Sequence, residues 1–132
     1  DAGRKFPALA VDDIHTERDL FQGYTVIASA DASPAALLEA LREGRFYSSC
    51  GPDFTRFEFD GKTFRAEFTP CVEAVMIANC CFGNMVINPD GTPLTGVEYD
   101  TRSLPEMPNR YCRCRIRDAA GNFAWSNPVY LP

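Results

Sequence analysis

The chain has 132 residues, a net charge of −5 at pH 7, an isoelectric point near 4.8 and 45% apolar residues. Its length fits a single domain, or one small domain with part of another. The acidic balance argues against a nucleic acid or an anionic membrane as a partner. No apolar run approaches the roughly 18 residues that a membrane span requires. The chain begins with Asp1 rather than Met, so we expect it to be part of a longer protein.

The six cysteines are too few for a disulfide scaffold, in which they typically exceed about 8–10% of the residues. Cys80 and Cys81 are adjacent, and Cys112 and Cys114 are separated by one residue, so the Cys-x-x-Cys spacing of zinc and redox sites is absent. We therefore expect reduced, mostly buried cysteines in a cytoplasmic protein. A metal site built from these four cysteines is the alternative.

The single histidine, His15, follows a short apolar run, Ala8–Val11. Such a run predicts a strand buried on both faces, as in parallel α/β sheets, although periodicity alone does not distinguish it from a helix. Strands of this kind carry their chemistry just past their carboxyl ends, where Asp12, Asp13 and His15 stand. In an extended chain the side chains of Asp13 and His15 leave the same face. A carboxylate and an imidazole aimed at one point form half of a divalent-metal site; a turn or capping role is the alternative.

A second strand and a helix come next. Tyr24–Ala30 is rich in β-branched and aromatic residues, which predicts a strand. Ser33 is placed as a helix N-cap and Pro34 as the first helical residue, and Gly44 supplies the left-handed position that ends the helix. Three leucines form the apolar stripe of this helix: Leu37, Leu38 and Leu41.

From about residue 48 onward the pattern alternates with a period of two. Thr55–Asp60 and Phe64–Phe68 flank an Asp-Gly turn, which predicts a hairpin with one apolar and one polar face. Val72–Ala78 is more uniformly apolar, which is typical of a central strand, and Phe82–Ile87 is predicted as the next one.

The last strand pair has the most regular pattern. Cys112, Cys114 and Ile116 alternate with arginines, and the turn at Asp118–Asn122 leads into a returning strand, Phe123–Leu131. About seven short strands separated by turns predict an antiparallel β-sandwich. The predicted fold class is therefore α+β, mostly β, with a first segment of residues 1–47 that packs against a β-sandwich of residues 48–132.

The arginines of that pair, Arg113, Arg115 and Arg117, form a row along one face of the strand. The row predicts a solvated face that pairs with acidic rows such as Glu98 and Asp100. A phosphate or a carboxylate polymer is the alternative partner.

Two other features have both a structural and a functional interpretation. The single tryptophan, Trp125, predicts a core anchor, with stacking on a sugar or a base as the alternative. Ser48–Pro52 predicts a strand that runs into a Gly-Pro bend. A serine or Cys50 nucleophile with His15 as its base is the alternative there, although the Gly-x-Ser-x-Gly frame is absent. The cis or trans state of Asn127–Pro128 stays open.

Three islands of sequence resemble one family. Ala10-Val11-Asp12-Asp13-Ile14-His15 resembles the final metal-ligand motif, Asp-x-His, of the PHP (polymerase and histidinol phosphatase) superfamily. The string from Leu41 to Pro52, LREGRFYSSCGP, is similar to the segment that follows this motif in PHP-type metallohydrolases with a C-terminal β-domain. Asp118–Gly121 and Ala124–Pro128 resemble the close of that β-domain. The islands occur in family order and span nearly the whole chain.

The resemblance implies a barrel of strands and helices whose strand ends hold two or three divalent metals and hydrolyse phosphoesters. It implies that residues 1–47 are the last segment of that barrel, a strand-strand-helix remnant, and that residues 48–132 are the C-terminal β-sandwich. Asp13 and His15 would be metal ligands, the metal would be zinc, manganese or iron, and a metal-bound water would be the nucleophile.

The family's other ligands lie upstream, and the present chain has no second histidine. We therefore expect these residues alone to bind no metal tightly and not to be catalytic. Their partners would be the missing N-terminal barrel and its phosphoester substrate.

A different class of function is an independent β-sandwich that binds a carbohydrate or a protein partner. Its exposed aromatic residues would be Trp125, Tyr99, Tyr111 and Tyr130.

Overall fold

Ten strands and one α-helix make up the described part of the chain, residues 6–132 of a computed structural model. The first five residues of the predicted first segment and the side chain of Cys81 lie outside this description. The helix α1 spans Pro34–Arg42. The strands are β1 (Tyr24–Ile27), β2 (Phe46–Ser49), β3 (Phe54–Phe59), β4 (Thr63–Cys71), β5 (Glu73–Ala78), β6 (Gly83–Val86), β7 (Leu94–Asp100), β8 (Tyr111–Arg117), β9 (Phe123–Ser126) and β10 (Val129–Tyr130).

The strands form two antiparallel sheets. The larger sheet has the order β1-β2-β9-β8-β5-β6, with β10 pairing to β8 beyond the end of β9. The smaller sheet has the order β3-β4-β7. The fold class is thus α+β and mostly β, as predicted, and the pairing of all these strands is antiparallel.

The core lies between the two sheets, where β4 packs against β8 and β5 packs against β7. The alternation of β8 is confirmed, since Cys112, Cys114 and Ile116 have no exposed surface. Every second residue of β5 is buried in the same way, and so is every second residue of β4 as far as Phe68. The other large side chains of this core are Phe54, Phe64, Phe68, Met76, Leu94 and Val97.

The helix forms where the sequence predicts it. The Ser33 hydroxyl accepts a hydrogen bond from the amide of Ala36 at 3.3 Å, Pro34 occupies the first position, and Gly44 has a φ of 72°. The buried residue of α1 is Ala40 rather than one of the three leucines, of which Leu38 is exposed. A small residue at this contact lets the helix backbone lie close to the sheet, so the leucines reach only its margins.

The predicted strand at Ala8–Val11 is wrong. This segment belongs to no sheet, and Leu9 and Val11 are 56% and 75% exposed. Its backbone groups bond to side chains instead: the amide of Ala10 to the hydroxyl of Thr25, and the carbonyl of Ala8 to the hydroxyl of Ser48. Each of these side chains bonds to a single residue of the segment, so no ladder of backbone hydrogen bonds forms. The segment therefore joins no sheet, and no neighbouring strand covers it.

The predicted division at residue 47 falls inside β2. Because β1 pairs with β2 and β2 pairs with β9, residues on both sides of this point belong to one sheet. The strand β1 also ends at Ile27, three residues before the predicted end.

The strand β6 lies at the edge of the larger sheet and pairs with β5. Its flanks and outer surface are apolar and exposed, with Phe82, Met85 and Ile87 all open to solvent. The strand predicted at Phe82–Ile87 is therefore present in shorter form, but it is not buried.

We expect Met76→Ala to lower the free energy of unfolding by about 2–5 kcal/mol, because it leaves a cavity among fully buried side chains. Met76 is 1% exposed in β5, whereas Met85 is 57% exposed on the neighbouring β6 and provides the matched control. Met85→Ala should change the free energy by no more than about 0.5 kcal/mol. Urea denaturation followed by circular dichroism measures both. Equal losses in the two variants would contradict the assignment of the core.

Candidate functional site

His15 and Asp13 lie together in an exposed turn ahead of β1. The ring Nδ1 of His15 lies 2.7 Å from the carbonyl oxygen of Asp13. A carbonyl only accepts hydrogen bonds, so Nδ1 carries the proton and donates it. The lone pair of the neutral ring is then on Nε2, which has no hydrogen-bond partner among the residues described. Asp13 has a φ of 52°, so the backbone turns here instead of extending as the predicted strand required.

Asp12, the third residue of the predicted site, has a structural role. Its carboxylate accepts hydrogen bonds from the amides of Gly23 at 2.6 Å and Phe21 at 2.8 Å. The bond from Gly23 is the largest influence on the pKa of Asp12 and lowers it below the ordinary value. The side chain therefore closes the loop that connects the histidine to β1, and both of its oxygens are engaged.

Asp19 fixes the position of His15 along the chain. Its carboxylate accepts hydrogen bonds from the amides of His15 at 3.0 Å and Thr16 at 2.7 Å, at the start of a 3-10 turn at Glu17–Asp19. These backbone donors lower the pKa of Asp19. Two carboxylates thus hold the loop, while Asp13 and His15 stay exposed.

Among the side chains of residues 6–132 other than Cys81, no group of three or more His, Cys, Asp or Glu residues is arranged to hold a metal ion. The Asp13 carboxylate and the His15 imidazole are ligand types that suit zinc, manganese and iron. Two such ligands leave half of a tetrahedral shell, or two-thirds of an octahedral one, to water or to other groups.

The alternative nucleophiles have structural partners. The Ser49 hydroxyl donates to the carbonyl of Pro52 at 2.6 Å, and the Ser48 hydroxyl donates to Ala8 at 2.7 Å. The Cys50 thiol lies 3.2 Å from the amide and the carbonyl of Phe123 on β9. In the part of the chain that the structure covers, none of these groups contacts the His15 ring, so no nucleophile–base pair forms.

The cysteines whose side chains are described form no metal site either, and the side chain of Cys81 lies outside the description. Cys112 and Cys114 point into the core, and burial raises the pKa of each thiol to about 12. Cys71 is also buried, with its pKa raised to about 11, whereas Cys80 is exposed. Thiols that are buried and protonated are poor metal ligands, which argues against the cysteine metalloprotein.

The arginine row has a different partner from the predicted one. Arg115 and Arg117 both bond to Glu73 of β5, at 2.8 and 3.3 Å. Glu98 pairs with Arg65 and Asp100 pairs with Arg102, so the predicted partners are wrong. The reason is sheet order: β8 neighbours β5 and not β7.

The expectation that Trp125 anchors the core is also wrong. Trp125 lies opposite Arg115 and Ser48 on the outer face of the larger sheet, half-buried, with its ring stacked on Phe123 at a centroid distance of 5.7 Å. The core side of β9 carries Ala124. A register that pairs Trp125 with Arg115 would have predicted the outer face from the sequence. The sequence alone does not fix that register, because it depends on where the turn between β8 and β9 begins.

Trp125 borders a cleft of about 500 Å³ between the outer face and the N-terminal segment, which we call the outer-face cleft. Arg113 and the aromatic residues Phe6, Tyr111 and Tyr130 also line it. Asn127 closes one wall, because its amide donates to the carbonyls of Gly44 and Phe46. The Asn127–Pro128 bond is trans. The sequence did not indicate this cleft, because its two sides come from segments more than 100 residues apart.

Comparisons with protein-family models, with curated proteins and with solved structures found nothing that matches this chain. None of the helices in the described residues is long and apolar enough to span a bilayer.

We expect Asp12→Ala to loosen the loop before β1, so that the amides of Phe21 and Gly23 exchange with solvent on the order of tenfold faster. Asp13→Ala is the control, because the Asp13 carboxylate accepts neither of these bonds. In the unmodified protein the amide shift of Gly23 should titrate below pH 3.8, since a lowered pKa keeps Asp12 ionised until the pH falls through it. Hydrogen exchange and pH titration by NMR measure both effects. Unchanged exchange in Asp12→Ala would show that the carboxylate does not hold the loop.

Proposed function

We propose that this chain is the C-terminal portion of a PHP-like metal-dependent phosphoesterase, and that Asp13 and His15 are two of its metal ligands. The observation that carries the proposal is the hydrogen bond from Nδ1 of His15 to the carbonyl of Asp13. Histidine ligands typically donate one ring N–H to a carbonyl or carboxylate, which orients the ring and leaves the other nitrogen for the metal. A divalent metal, when bound, supplies Lewis-acid activation for phosphoester hydrolysis.

The chain's own residues would position this ligand pair. Asp19 holds the backbone amide of His15, and Asp12 ties the loop back to the residues before β1. Both carboxylates stay ionised well below neutral pH because backbone amides lower their pKa. The pair is thus presented from a braced loop rather than from a free terminus.

Exposed apolar side chains beside the ligand pair support the proposal that another part of the protein packs over this loop. Val11 and Ile14 flank the motif and are 75% and 56% exposed, and Phe21 stands open on the same loop. Several large apolar side chains exposed together are typical of an interaction surface. We propose that the remainder of the barrel covers them, with the β-sandwich bracing that barrel or shaping access to its substrate.

A second candidate function is an independent binding module for a carbohydrate or a protein partner. The specific observation in its favour is that Trp125 lies outside the core, with Tyr111 and Tyr130, at the outer-face cleft. Tyr99 does not share this site; it packs against the core from the smaller sheet.

The 132-residue chain itself should not hydrolyse a chromogenic phosphomonoester in the presence of Mn²⁺ or Zn²⁺, because two ligands do not complete a catalytic coordination shell. Release of nitrophenolate measures the rate. Turnover that exceeds the rate of a His15→Ala variant would contradict this expectation.

We expect Mn²⁺ to broaden the ring resonances of His15 in the NMR spectrum, which are identified at once because the chain has one histidine. Asp13→Asn should weaken the apparent affinity about tenfold or more, because it removes one of the two ligands. Glu106→Gln is the matched control, since it removes the same charge from an exposed carboxylate paired with Arg110. Equal broadening in the unmodified protein and in Asp13→Asn would overturn the ligand pair.

A further inference from the structure

One arginine of the β8 row lacks the carboxylate that its neighbours share. Arg115 and Arg117 both bond to Glu73, whose side chain is 12% exposed. Arg113 lies one step along the same face, opposite Ile77 of β5. Its Nε is buried and, like the Nε of Arg115, has no hydrogen-bond partner among the described residues. Unlike Arg115 and Arg117, Arg113 also pairs with no carboxylate of those residues.

A buried guanidinium N–H without an acceptor is costly, because it has lost its hydration and gained nothing in exchange. The group that best restores this loss is an oxyanion with two oxygens placed to accept from the guanidinium fork. The guanidinium fork matches a carboxylate or a phosphate with two parallel N–H···O bonds. Of the three arginines in the row, Arg113 is therefore the one whose guanidinium is not already paired with a carboxylate of the described residues.

The surroundings of Arg113 suit a small ligand. It faces the outer-face cleft, whose volume of about 500 Å³ is in the range typical of small-molecule sites. Of the described residues that line this cleft, none is acidic, although the chain as a whole has a net charge of −5. Among the described lining residues an anion meets one cation, Arg113, and no carboxylate.

A second cleft on the molecule shows the contrast. It has a similar volume, about 490 Å³, and contains Arg45 and Arg56. Arg45 pairs with Glu43 at 2.7 Å, and Arg56 pairs with Glu58 at 2.9 Å. These arginines are already paired with the protein's own carboxylates, so of these two clefts the outer-face cleft is the one whose charge favours an anion.

The other wall of the cleft favours a flat group. Trp125 lines it, and its ring is held in place by the stacked ring of Phe123, at an interplanar angle of 25°. A fixed aromatic ring offers its face to planar ligands at little cost in conformational entropy.

We propose that the outer-face cleft binds a small ligand in which a carboxylate or a phosphate is carried on a flat ring. The oxyanion bonds to Arg113 and the ring packs against Trp125. The site shares no residue with the Asp13–His15 pair, so it goes beyond the proposed phosphoesterase function and stands or falls separately from it. The outer-face cleft is also the site of the binding-module hypothesis. The present proposal replaces the neutral carbohydrate of that hypothesis with an anionic ligand.

The chain contains one tryptophan, so its fluorescence reports directly on the cleft. Benzoate, phenyl phosphate, benzyl alcohol and methyl glucoside are titrated into the 132-residue protein, with EDTA present to exclude divalent metals. We expect a saturable change with benzoate or phenyl phosphate that weakens as salt is added, and none with benzyl alcohol. The stronger of the two anions identifies the preferred oxyanion.

Arg113→Gln should raise the dissociation constant of the bound anion about tenfold or more, because a charge-assisted pair is lost. Arg117→Gln removes the same charge from the same strand face, outside the cleft, and should leave the constant within about twofold. Arg113→Lys keeps the charge but lacks the fork, so it should also bind more weakly. It provides the test if Arg113→Gln fails to fold. His15→Ala should bind normally, which separates this site from the metal-ligand pair.

Four results would overturn the proposal. One is the absence of a saturable response to either anion, and another is an equal response to benzyl alcohol. The third is an unchanged constant in folded Arg113→Gln or Arg113→Lys. A response to methyl glucoside alone would also overturn it, and would instead support recognition of a neutral carbohydrate.

Discussion

The position of the N-terminal segment depends on hydrogen bonds between its backbone and side chains of the larger sheet. Ser48 donates to the carbonyl of Ala8, the Thr25 hydroxyl bonds to both backbone groups of Ala10, and Asn127 accepts from the amide of Ala8. These bonds lay the segment across the outer face without adding a strand. One result is the outer-face cleft, which needs this segment as its second wall. The other is the placement of Asp13 and His15 at the segment's far end, beyond the edge of the sheet.

The strand β8 contributes both to the stability of the fold and to the proposed anion site. Its inner face packs in the core, and its outer face carries the arginine row. Its inner face contributes Cys112, Cys114 and Ile116 to the core, where burial keeps both thiols protonated. Its outer face carries the three arginines. Glu73 pairs with two of them, and the third, Arg113, lies opposite Ile77 without such a pair. A single mostly buried carboxylate on β5 thus decides which arginine of the row is available to a ligand.

The two proposed sites lie at opposite ends of residues 6–15 and call for different chemistry. Asp13 and His15 offer hard and borderline donors to a cation, whereas Arg113 and Trp125 offer a cation and a ring to an anion. The ligand pair is incomplete within the described residues, and its apolar surroundings favour cover by another part of the protein. The cleft contains all of its proposed contacts. The two can therefore be tested one at a time.

Local patterns in the sequence determined much of this fold. Ser33, Pro34 and Gly44 predicted both ends of the helix, and the alternation of β4 and β8 predicted which residues form the core, because capping and strand periodicity depend on near neighbours. The outcome differed wherever distant segments meet. The apolar run at Ala8–Val11 resembled a buried strand, but only the tertiary structure decided that side chains would take its hydrogen bonds. Likewise, Arg115 and Arg117 pair with Glu73 rather than Glu98 because β8 lies beside β5 in the sheet. The register between β8 and β9 places Trp125 on the outer face. Pairing between strands far apart in the chain leaves no periodic signal, so the cleft and its unpaired arginine emerge only once the sheets have formed.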